Sequence, residues 1–245
     1  MRLAAAVLAL LMSVSCSGGG LSLFQQYEYE EDLYLALDGS ATLYVNGSMP
    51  ALAALRGAPF DTRPEIAIDR DAVRRYFTTP VTAVNRRPAT SRRNNRRFAH
   101  ARVEVRDVRQ LPSAPPFAWS SYSFERQGDL FVFKQTVGKS ANAEVPGMKW
   151  DGDEVVAFRL HLPSKVVYHN AGEKNLRRGN ILVWEQPLRD RLQGVPLEME
   201  ARMETQSILY RTLWLFGATI LVVAAGFVAL WMSLTRRRRR DHTKV

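Results

Sequence analysis

Cysteine is almost missing from this chain: among 245 residues the only thiol belongs to Cys16. Whatever follows it has no internal disulfide, so its stability must come from packing. Histidine is scarce too, with four residues. The sequence contains no Gly-x-Ser-x-Gly, no His-Glu-x-x-His and no phosphate-binding glycine loop, so the usual local signatures of catalysis or metal binding are lacking. His161 and His169 would share a face if one strand ran through both, but Pro163 interrupts it. They are read as structural or surface histidines. The spacing of Ser164, Tyr168 and His169 matches no nucleophile-and-base mechanism, and no catalytic residue, metal site or cofactor is assigned.

Acid is absent from one long stretch. Arg86, Arg87, Arg92, Arg93, Arg96, Arg97 and Arg102 fall within 17 residues that hold no Asp or Glu. Such a segment reads either as a solvated loop or as a contact surface for anionic lipid head groups, where each arginine near a charged membrane contributes about 1 kcal/mol. Nucleic acid is not favoured as a partner, because the segment lacks interleaved aromatics.

What is present at the two ends locates the protein. Arg2, the apolar stretch Leu3 to Met12 and the small residues Ser13-Val14-Ser15 form an export signal over 1–15. Cys16, followed by Ser17 and three glycines, stands at the processing site and is the candidate for lipidation. An ordinary cleaved signal or an uncleaved anchor are the alternatives. Near the other end, Leu213 to Leu234 is an uncharged run of 22 residues. As a helix it is roughly 33 Å long, enough for a hydrocarbon core of about 30 Å. Trp214 and Trp231 sit near its ends, at interfacial depth, and Arg236, Arg237, Arg238, Arg239 and Arg240 follow as a stop-transfer signal. These features predict a transmembrane helix over 212–235, a cytoplasmic tail over 236–245, and a single-pass protein of the cytoplasmic (inner) membrane with everything earlier outside the cytoplasm.

Net charge is +10. Arg2 supplies one unit and Arg236 to Val245 five, from six basic residues against Asp241, which leaves +4 for the exported part. Topology accounts for most of the basicity.

The exported region, 21–211 after a short leash over 16–20, is long enough to bury roughly 70 percent of its unfolded surface as one domain. Leu33, Leu35 and Leu37 alternate, Asp38-Gly39 turns the chain, and Leu43 and Val45 resume the alternation, which predicts a hairpin. Ser48 caps a short helix that ends at Gly57, and Asp69 caps another that places Val73, Tyr76 and Phe77 on one face. Strands are predicted over 81–85, 97–105, 119–126, 130–137, 154–162 and 180–185, with a further alternating one at Leu197, Met199, Ala201 and Met203. Trp150, Trp184 and the aromatics of 119–124 and 130–133 are read as core. The fold class is α+β, with a largely antiparallel sheet, short helices and one C-terminal transmembrane helix.

The signal ending at Cys16, the Leu33 to Val45 hairpin and the terminal helix together resemble the LppM-like bacterial lipoproteins. That resemblance implies a curved sheet enclosing an apolar cavity and an envelope lipid or glycolipid as ligand. No long amphipathic helix is present in 21–211 to close such a cavity. The functional expectation is a noncatalytic, membrane-anchored envelope lipoprotein that binds a lipid, possible anionic head groups included, or a membrane protein partner at the bilayer surface. A structural subunit of a membrane complex is the alternative, and an envelope hydrolase a distant one.

Overall fold

The computed structural model describes residues 27–172, 176–177 and 180–241. The export signal, Cys16 and the glycine leash lie outside the described residues.

The predicted hairpin opens the domain as β1 (Tyr27–Leu35) and β2 (Ala41–Ser48). Asp38 Oδ1 accepts from both the backbone N–H and the hydroxyl of Ser40, and Gly39 takes a φ of +88° that a side chain would strain. Ser48 then accepts from the Ala51 N–H at 3.1 Å and starts α1 (Met49–Arg56), which Gly57 closes at φ +64°. Asp69 caps α2 (Arg70–Phe77), whose Val73 and Phe77 are buried. Both helices lie where the caps predicted.

The hairpin is the centre of a larger sheet. To one side of β1 come β8 (Val155–His161), β11 (Ile181–Pro187) and the two-residue β10 (Leu176–Arg177). Beyond β2 comes β5 (Arg96–Val105), which also pairs with β3 (Thr82–Ala83) and β4 (Ala89–Arg93). The second sheet runs β6 (Ser120–Gln127), β7 (Leu130–Val137), β12 (Leu197–Ser207), β9 (Ser164–His169). Pairing is antiparallel except between β1 and β8, which run parallel. The α+β class stands, with three differences from the sequence reading. The strand expected over 81–85 shrinks to two residues, the basic segment supplies β4, and β9 joins the second sheet just after Pro163. Pro163 is therefore where the chain leaves one sheet for the other.

The buried faces of the two sheets make one core, with Leu33, Leu43, Phe133, Phe158 and Met199 among its members. A void between them, lined by Leu33, Leu43, Phe133, Phe158 and Met199, measures about 10 Å³, room for a single water. Side chains of both sheets pack around that void.

The short helix α3 (Leu188–Leu192) follows β11, β12 ends at Ser207, and α4 (Ile208–Asp241) begins at the next residue. Its first 25 residues, Ile208–Met232, are long and apolar enough to cross a membrane, with mean hydropathy 2.4 and no burial against the domain. The backbone of 236–240 continues this helix.

Candidate functional site

The topology sets the β4–β5 turn of the arginine-rich segment and the apolar helix at opposite ends of the domain. Ser207 pairs with Ser164, so α4 leaves beside the His161 end of β8, whose register neighbour on β1 is Tyr34. The turn between β4 and β5 lies past the other end, where Arg93 donates to the Tyr27 carbonyl at 2.9 Å. Seven residues of β1 separate those two levels, roughly 23 Å at about 3.3 Å per residue. The segment is no loop: it is a hairpin whose turn residues Asn94 and Asn95 both adopt positive φ, 49° and 57°, a conformation asparagine tolerates.

The seven arginines expected to contact head groups differ in burial and partners. Arg96 bridges Glu28 at 2.5 Å and Glu154 at 3.3 Å and stacks over Trp150. Its acids come from β1 and from the residue before β8, far off in sequence. Arg97 is 7% exposed and donates through Nη2 to the carbonyls of Asp61 and Arg63. Arg102 pairs with Glu104 at 2.9 Å and lies over Tyr44. Arg87 reaches Asp71 at 3.1 Å, Arg92 donates to Asn95 Oδ1, and Arg93 covers the Phe98 ring. Arg86, Arg87, Arg92 and Arg93 are exposed.

A second polar constellation, unanticipated from sequence, is buried between the sheets. Arg56, the last residue of α1, forms an ion pair with Glu31 and donates to the Tyr29 hydroxyl and the Pro116 carbonyl. Tyr29 also donates to Glu31 at 2.6 Å. The guanidinium lies 4.9 to 5.0 Å from the ring centres of Trp119, Tyr29 and Phe117. Burial works against its charge, but Tyr29 and Glu31 more than offset that and raise its pKa. Burial likewise pushes the Tyr29 and Tyr122 hydroxyls up. Arg191, fully buried, packs over Trp119 too and donates to the carbonyls of Gly138 and Val195. One signal was legible: Glu31 shares the inward face of β1 with Tyr29, Leu33 and Leu35. An acid on a core face calls for a buried cation.

The histidines are kept apart. His161 stacks on Tyr34 with ring centres 3.8 Å apart, and burial lowers its pKa. His169, in the other sheet, shares a hydrogen bond with the Ala171 carbonyl at 2.9 Å. Ser164 is buried at the root of β9. Among the described residues no three His, Cys, Asp or Glu converge as a metal site would require. Trp184 is buried and Trp150 and Trp119 pack partly buried against the core, as read from the sequence.

These features define a two-sheet α+β domain carrying a C-terminal apolar helix. No protein-family model matches the chain, and no curated protein does. Among solved structures, the NMR structure of the folded domain of the Mycobacterium tuberculosis LppM protein is similar, at 14% identity and a TM-score of 0.40, covering 76% of this chain and 95% of that one. At that distance the likeness is one of broad arrangement, and no residue role passes from one chain to the other.

Proposed function

We propose that the chain is a noncatalytic, single-span envelope protein whose extracytoplasmic domain works at the surface of the bilayer that holds α4. The observation that carries this reading is the direct passage from β12 to α4 at Ser207 and Ile208. Without a stalk, the end of the domain nearest the helix rests on the membrane. That end comprises the β1–β2 turn, the β6–β7 turn and the β8–β9 turn around Pro163. Because the core is filled, lipid is met at these turns and not swallowed between the sheets. Lipidation of Cys16 would tether the domain a second time, and the arginines 236–240 would hold the tail in the cytoplasm.

Photo-crosslinkable phospholipid in bilayers holding the full chain tests this. Adducts are expected on residues 36–40, 127–130 and 161–165 in addition to the helix. Adducts confined to the helix, or found on 86–97 instead, would overturn it.

One observation favours assembly as a second reading. β9 is an edge strand, and its Val167 and Tyr168 are 55% and 46% exposed close to the root of α4. Crosslinking at these two positions to another membrane protein, with no lipid adduct on the turns, would select it.

A further inference from the structure

Beside the arginine hairpin, at the end of the domain remote from α4, a cleft of about 350 Å³ opens. Its walls are the β4–β5 turn, the loop at 62–64 and the loop at 145–149. Four of its lining residues are basic, Arg63, Arg96, Arg97 and Lys149, and none is acidic. Charge accounting then separates the four. Arg63 is neutralised by Asp61 at 2.6 Å, and Arg96 by Glu28 and Glu154. Arg97 and Lys149 form no ion pair among the described residues.

Arg97 is the unusual one. A guanidinium that is almost wholly buried ordinarily faces a carboxylate, because desolvating an unpaired charge costs several kcal/mol. Here Nη2 is held by two backbone carbonyls, while Nε and Nη1 have no hydrogen-bond partner among the described residues. Burial accordingly pushes its pKa below the ordinary arginine value, though arginine starts so high that it stays charged at neutral pH. The two carbonyls belong to the loop that also gives the cleft Thr62 and Pro64, so Arg97 both charges the wall and shapes it. Pro50, Pro64 and Pro146 are among the lining residues, each with a fixed φ. Such walls need little ordering when a ligand arrives.

The volume lies at the lower end of the range for small-molecule sites, about 300 to 1,000 Å³, and well exceeds a bare oxyanion. Two cations without a contacting carboxylate suit a dianion, and a phosphate monoester carries about −1.5 to −2 at neutral pH. Thr62 and Asn95 add groups that can meet hydroxyls. We propose that this cleft binds a phosphate monoester of a sugar-sized polyol, its phosphate drawn by Lys149 and Arg97. Since the cleft is at the far end of the domain from α4, the ligand comes from solution or from a facing surface.

Calorimetric titration of the full chain, held in phosphatidylcholine nanodiscs, with glycerol 3-phosphate tests the proposal, with glycerol as the uncharged comparison. Saturable one-to-one binding of the phosphate ester and none of glycerol is expected. Lys149, exposed on its loop, can be changed without disturbing the core: Lys149→Glu should weaken binding at least about tenfold, a loss of about 1.4 kcal/mol, and Lys149→Arg should restore it. Arg106→Gln, an exposed cation just past the other end of β5 and outside the cleft lining, should leave binding unchanged. Flotation with phosphatidic-acid vesicles separates the two sources: capture that glycerol 3-phosphate displaces and Lys149→Glu abolishes assigns the ester to a facing lipid surface, and titration without capture assigns it to solution. Binding by neither probe, binding insensitive to Lys149→Glu, or an equal loss in Arg106→Gln would overturn the proposal.

Discussion

The backbone N–H of Ile208, the first residue of the apolar helix, donates to the carbonyl of Pro163 at 3.0 Å. Pro163 is also the point where the chain crosses from the larger sheet to the smaller one. The helix is therefore rooted where both sheets meet, with the pairing of Ser207 to Ser164 directly behind it. A domain so attached is expected to move with its helix.

That rigidity can be measured. With spin labels at Lys165→Cys and Ala218→Cys in a Cys16→Ser background, the distance distribution between domain and helix should be narrow. Inserting Gly-Ser-Gly-Ser between Ser207 and Ile208 should broaden it while leaving domain stability unchanged. Equal widths in the two proteins would show that the junction is already loose.

The buried pair of Arg56 and Glu31 makes a stability prediction with a built-in control. Their side chains are 1% and 3% exposed, so Arg56→Met strands a carboxylate in the core. Removing one member of a buried pair costs about 3 to 5 kcal/mol, readable as a lower urea midpoint. Combining Arg56→Met with Glu31→Leu removes both charges and should recover part of that loss. A double variant no more stable than Arg56→Met alone would mean that packing around the guanidinium, and not charge, dominates.

Within the basic segment, neighbours should behave unlike one another. Arg96→Gln leaves Glu28 and Glu154, which are 0% and 4% exposed, facing each other without their shared cation. A loss of about 3 kcal/mol is expected. Arg92→Gln, on the exposed side of the same hairpin, should change stability by no more than about 0.5 kcal/mol. Chemical denaturation of both variants checks the contrast, and similar losses would contradict the assigned burial.

Burial lowers the pKa of both His100 and His161 below the ordinary 6.5. For His161, Asp32 opposes the shift and Arg159 adds to it; for His100, Glu30 opposes and Arg93 adds. The unfolded chain thus takes up protons at a pH where the folded one does not. The contribution of these histidines is present above 6.5 and is lost as pH falls below that value and through the lower folded-state pKa. Thermal unfolding from pH 7.5 downward should show a falling midpoint, and His161→Gln should flatten the slope just under 6.5. An unchanged slope would place the acid sensitivity elsewhere.

Much of the chain was legible in its sequence. Ser48, Gly57 and Asp69 announced two helices because caps act within a few residues of where they stand. The hairpin of β1 and β2 showed in its alternation and its Asp-Gly turn, and α4 in its length and lack of charge. What escaped were relationships between segments distant in sequence. The 86–102 stretch looked acid-free because Glu28 and Glu154, the acids that neutralise Arg96, lie 68 and 58 residues away in the chain. Glu31 stood on a core face, yet nothing local announced Arg56 as its partner.

Sequence by itself therefore determined the α+β class, the capped helices and the apolar C-terminal helix, since each follows from short-range backbone chemistry or from hydrophobic length. Tertiary structure alone decided the parallel pairing of β1 with β8, the transfer of β9 into the second sheet, and the filling of the space between the sheets. It also decided which arginines face inward and that their hairpin lies at the end remote from α4. Strand register and ion pairing depend on which distant segments come together, and burial then fixes which charges must be neutralised there.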